Sequence, residues 1–132
     1  MQSADLAKTW ALVAGAVLVL VGILGFFSNP IVGSAPGALV ATDTMQNIVH
    51  IGTGILALAI YSLSSGNARK TALIGFGILY AAVFVLILLS PNLFGVFAVP
   101  ANGIDQLIHI ALAALTLGVA FMARGSYEPA RA

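Results

Sequence analysis

There is no cysteine anywhere in the sequence, which excludes disulfides, thiolate catalysis and thiolate metal sites. Charge is nearly as scarce. Only 7% of the 132 residues are charged and 61% are hydrophobic, whereas a soluble domain carries charge on about a quarter of its residues. Five basic and four acidic residues leave a formal net charge of +1, so there is no basic field for nucleic acid and no acidic tail. These shortages predict an all-α membrane protein whose principal partner is the lipid bilayer.

What the sequence does have is length of apolar run. Residues Trp10 to Phe27, Gln46 to Leu63, Thr71 to Leu89 and Ile104 to Ala123 each cover roughly 27 to 30 Å as helix, the thickness of a hydrocarbon core. A four-transmembrane-helix up-down bundle follows, one transmembrane domain over residues 1–132. The first run exceeds the usual apolar segment of a signal peptide, which predicts a retained span. Lys8, Arg69, Lys70, Arg124 and Arg131 fall in the N-terminal tail, the second loop and the C-terminal tail, while the first and third loops hold no Lys or Arg. The positive-inside rule then predicts cytoplasmic termini, with Trp10 as an anchor at the inner interface. The two outer loops are themselves apolar and contain Pro30, Pro36, Pro91 and Pro100, which predicts segments folded over the bundle mouth rather than continued helices.

The chain also resembles itself. A shift of 62 residues aligns Lys8-Thr9 with Lys70-Thr71, Gly15 with Gly77, Val21 with Val83 and Leu24 with Leu86; beyond the shorter third loop a shift of 59 aligns His50-Ile51 with His109-Ile110, Leu56 with Leu115 and Leu58 with Leu117. Because each unit crosses the membrane twice, the two-helix units are expected to be parallel repeats about an axis along the membrane normal.

That repeat sets DTMQNIVH, Asp43 to His50, beside NGIDQLIH, Asn102 to His109. Asp43 with Gln46 and Asn102 with Asp105 have capping-box spacing, the first side chain accepting from early helix N–H groups and the second reaching back. Each histidine follows one turn later on the same face, at similar depth, roughly 6 to 8 Å below the helix ends. The expected partners of the buried imidazoles are Gln46 and Asp105, and the acidic residues are read as caps and histidine partners rather than metal ligands. No metal site is assigned.

Two histidines at one depth on alternate helices also suit a bis-imidazole haem or a pair of chlorophyll-type pigments, which makes His50 and His109 candidate axial ligands. A metal- or pH-sensing outer mouth is the third possibility. Small residues nearby, including Gly22, Gly25, Gly52, Gly54 and Ala113, leave room for a cofactor, but helix packing explains them as well, as in the pairs Ala11 with Gly15 and Ala114 with Gly118. Tyr80 and Thr53 are expected to share an interhelical hydrogen bond, and Thr116 to bond its own helix backbone. No nucleophile stands beside a base, and the cytoplasmic half of every helix lacks ionisable groups, which argues against an ion or proton relay.

QNIVHIGTGILAL in helix two, DQLIHIALAALTLG in helix four and WALVAGAVLVLVGILGF in helix one together resemble small four-helix bacterial membrane proteins catalogued only as a domain of unknown function. The resemblance covers nearly the whole chain. It implies a multi-pass protein of the bacterial plasma membrane and places His50, Gly54 and His109 at the family's characteristic positions, with Ala113 standing where a glycine is expected. The overall expectation is a non-enzymatic accessory or structural protein packed against larger membrane subunits, with the cofactor and sensing readings as alternatives.

Overall fold

Local chemistry fixes where each span begins and ends. The computed structural model describes residues 3–123, so Arg124 and Arg131 lie outside the described residues. Helix α1 runs Ser3–Leu24, α2 Thr44–Leu63, α3 Gly66–Leu89 and α4 Gly103–Ala123. Among the described residues, these four helices are long and apolar enough to cross a membrane. Large apolar side chains such as Leu20, Leu63, Leu89 and Leu107 point outward, as helices that face lipid require. The protein is a multi-pass, all-α membrane protein.

The helix bounds differ from the apolar runs in instructive ways. The first helix stops at Leu24, not Phe27, because the chain tightens into turns in which Phe26 N–H donates to Ile23 O and Phe27 N–H to Leu24 O. Asn29 holds this end, donating to the carbonyls of Leu24 and Val32, each at 2.9 Å, and accepting from the N–H groups of Ile31 and Val32. The third helix starts at Gly66 rather than Thr71. Its polar first turns, including Arg69 and Lys70, are helical without being apolar, so hydropathy alone misses them. Gly66 sits at φ 52°, where a side chain is strained, and lets α2 turn into α3 within Ser64 and Ser65. Arg69 then donates to the carbonyls of Tyr61 and Ser64 at the end of α2, satisfying groups a helix terminus leaves open.

Packing pairs α1 with α2 and α3 with α4 most closely. A Cβ on Gly54 would stand 2.7 Å from Val19 N and 2.8 Å from Gly15 O, so here two backbones touch. Gly118, by contrast, has nothing within 4 Å of a virtual Cβ, and the expected small-residue contact at Ala114 and Gly118 is not a close one. Lys8 lies over the Tyr61 ring at 5.6 Å, placing the start of α1 beside the end of α2. Trp10 is half-buried and donates its indole N–H to Thr116 Oγ1 at 2.8 Å. That contact ties Trp10 into the bundle and corrects one expectation: Thr116 serves α1 rather than its own backbone.

At the opposite end the loops fold over the helices. Val32-Gly33 and Val40-Ala41 form a two-residue parallel pairing, and Val32, Val40 and Phe97 are buried. Asp43 joins the two loops: its carboxylate accepts from the backbone N–H groups of Ala98 and Val99. Asn102 donates to Leu39 O at 3.0 Å.

Candidate metal centre

Asp43 begins α2 as its N-cap, with Oδ1 accepting from Gln46 N–H at 2.8 Å while Gln46 Oε1 accepts from Asp43 N–H at 2.7 Å. Asn102 starts α4 in the same way, accepting from Asp105 N–H at 2.9 Å. There the likeness ends. Asp105 does not reach back to complete a capping box; its carboxylate turns into the bundle, where the residue is 2% exposed.

His50 and His109 each lie six residues past the first residue of their helices, about 9 Å along the axis. Both point into the bundle. Their ring centroids are 6.4 Å apart at 49°, and the two residues are 7% and 6% exposed. Tyr80 of α3 packs against His109, centroid to centroid 6.1 Å, and its hydroxyl meets Thr53 Oγ1 of α2 at 2.5 Å. Thr53 in turn donates to Val49 O. The tyrosine thereby closes one wall of the histidine pair.

The contacts of His109 orient its ring. Gln106 donates its amide N–H to Phe84 O at 3.1 Å, so its Oε1 is the atom presented to His109 Nδ1 at 3.2 Å. An amide oxygen only accepts, so Nδ1 carries a proton, and Nε2 is the nitrogen turned toward Asp105. That Nε2 lies 3.5 Å from Asp105 Oδ1. A ring nitrogen and a carboxylate oxygen face one another across a buried gap, an arrangement that requires a proton or a cation between them.

His50 completes the constellation without a partner of its own. Gln46, the expected one, has its oxygen engaged by Asp43 N–H, and His50 Nδ1 is buried with no hydrogen bond. One donor atom from each of His50, Asp105 and His109 lies within 4.8 Å of the other two. Spacing at i,i+4 links Asp105 to His109, but a triad across α2 and α4 depends on tertiary packing. The duplicated motif signals part of it, because it sets two histidines at one depth with an acid one turn before the second.

Two cavities flank the triad and share His50, Tyr80 and His109. One, of about 320 Å³, runs along the α1–α4 seam and is otherwise lined by apolar side chains such as Val17, Val21 and Leu112, with Asp105 at its polar end. The other, of about 90 Å³, opens between α2 and α3 beside Val49, Leu79 and Val83.

The model of the domain of unknown function DUF4383 matches residues 8–122. The chain belongs to that family. Its match takes in all four spans, both capping residues and the whole triad. No curated protein and no solved structure matches the chain, so the family supplies a membership without an activity, and the chemistry must be read from the geometry.

Proposed function

We propose that this protein holds a divalent transition-metal ion inside the membrane on His50, His109 and Asp105. The observation that carries the reading is the buried convergence of three donors: His109 Nε2 lies 3.5 Å from the Asp105 carboxylate, and a nitrogen of His50, whose Nδ1 has no hydrogen bond, completes the group. A cation between them takes the place of a shared proton, and His50 supplies the third donor. Two imidazoles and one carboxylate suit zinc, iron(II) or manganese better than copper(I), which prefers thiolate or thioether. Gln106, on the far nitrogen of His109, has the place of an outer-sphere partner that fixes the ligand's tautomer. Small side-chain rotations would bring donors that all lie within 4.8 Å of one another to the spacing of a metal about 2.0 to 2.1 Å from each.

The same convergence favours a metal ion over a haem axially ligated by His50 and His109. A macrocycle between the two imidazoles would have to displace the buried Asp105 carboxylate, which lies within 4.8 Å of a donor atom of each. Paired chlorophyll-type pigments would need the imidazoles turned away from each other. A purely structural accessory role beside larger membrane subunits gives no account of an unpartnered, buried His50 Nδ1.

Orientation and ancestry belong to the same proposal. Lys8, Arg69 and Lys70 at the terminal end support cytoplasmic termini in a bacterial plasma membrane and an outward-facing triad. Support for two parallel repeats comes from corresponding contacts: a Cβ on Gly15 would meet Leu58, and one on Gly77 would meet Leu117, pairs that the two sequence shifts superpose.

The test is metal stoichiometry in lipid nanodiscs after dialysis against zinc, iron(II) or manganese. One ion per chain is expected, falling to near zero in both Asp105→Asn and His109→Gln. A wild-type protein that retains no ion from any of the three overturns the reading and leaves a proton shared by Asp105 and His109.

A further inference from the structure

Resting on the metal reading, the 320 Å³ cavity points to a ligand as well as an ion. A divalent cation with one carboxylate and two neutral imidazoles keeps a net charge of +1, and an uncompensated charge inside a membrane protein is strongly disfavoured. Asp43, the other described acid at this end, does not supply the missing anion: its carboxylate is held by the N–H groups of Gln46, Ala98 and Val99 at the start of α2. Three protein donors also leave a coordination position open. The space beside that position is almost wholly apolar.

We propose that the cavity takes a single-chain carboxylate amphiphile, a free fatty acid, with its carboxylate on the bound metal and its chain along the α1–α4 seam. The chain-binding wall is Val13, Ala14, Val17, Leu18 and Val21 of α1. From Trp10 to Val21 this wall is about 16 Å long, matched to a dodecanoate chain, and its far end is closed where Trp10 is tied to Thr116. Access is lateral. Val13, Val17 and Ile108 line the cavity yet remain 45%, 52% and 45% exposed on the lipid-facing surface, so the seam opens toward the acyl chains of the bilayer. The carboxylate neutralises the metal site, and the chain replaces lipid contact with protein contact.

Cobalt(II) in phosphatidylcholine nanodiscs tests the ion and the ligand separately. The visible d–d band of the wild-type protein reports the metal; titration with dodecanoate, acetate and dodecanol reports the ligand. Dodecanoate is expected to shift the band at aqueous concentrations at least about a hundredfold below those acetate needs, since its chain leaves water at about 0.8 kcal/mol per methylene, whereas dodecanol, which enters the same bilayer without an anionic head, leaves the band unchanged. A cobalt band that dodecanoate does not move, or moves no better than acetate, overturns the fatty-acid assignment and leaves the metal reading standing. An equal response to dodecanol overturns the anionic head. No cobalt band in the wild type overturns both.

Discussion

Gln106 accepts the Nδ1 proton of His109 at 3.2 Å while its own amide nitrogen is anchored on Phe84 O. The orientation of one amide thus decides which imidazole nitrogen faces Asp105. Gln106 touches no proposed ligand atom other than through His109, so it is a positioning residue.

Replacing Gln106 with leucine should therefore weaken metal affinity by about 10- to 100-fold while leaving the bundle folded, the usual cost of losing an outer-sphere partner. Competition with a chromophoric chelator measures this. Gln106→Glu, which keeps an acceptor at the same place, should restore most of the affinity; unchanged affinity in the leucine variant would remove Gln106 from the site.

Asp43 combines an N-cap with the tie between the two loops. Asp43→Ala is expected to destabilise the fold by about 1 kcal/mol for the cap and by about 2 to 3 kcal/mol in all, once the N–H groups of Ala98 and Val99 lose a charged acceptor. Unfolding in mixed micelles with increasing denaturing detergent gives the value. Metal content per folded chain should not change, since Asp43 is a cap and not a ligand.

The glycines separate contact from composition. Gly54→Ala places a methyl against the Val19 and Gly15 backbones, which side-chain rotation cannot relieve, and should cost about 1 to 3 kcal/mol. Gly118→Ala meets nothing within 4 Å and should be neutral or stabilise the helix by up to about 1 kcal/mol. Equal effects at the two positions in the same unfolding assay would contradict the packing described for α1 and α2.

Topology is open to labelling because the chain has no cysteine. Ser34→Cys, on the first loop, should react with a membrane-impermeant maleimide in intact cells. Ser65→Cys, at the turn before α3, should react only after permeabilisation. The reverse order would invert the assigned orientation.

How far the sequence reaches can be judged residue by residue. The four spans are legible because an apolar run long enough to cross a bilayer has few other uses, and the inward direction of His50 and His109 follows from helical spacing and the cost of a lone imidazole in lipid. Helix ends are less legible. The apolar signal continues through Phe26 and Phe27 although the backbone has already left α1, and it ignores the polar first turns of α3. The site was half-visible: the Asp43 and Gln46 spacing encodes a local capping box, and the Tyr80–Thr53 bond follows from comparable depth on antiparallel helices. Asp105 has the same spacing from Asn102, yet its side chain turns inward. It lies across the bundle interior from His50 of α2, a tertiary fact that no local spacing encodes. Trp10 and Thr116 are 106 residues apart and meet through the packing of α1 on α4, which is equally invisible to local spacing.

X-ray absorption at the zinc edge, on protein loaded with one equivalent of zinc in lipid nanodiscs, tests the metal centre most directly. The account predicts a first shell of nitrogen and oxygen only, at about 2.0 to 2.1 Å, with outer-shell scattering from two imidazoles that drops to one in His50→Gln. A spectrum without imidazole scattering, or one that His50→Gln leaves unaltered, would contradict it.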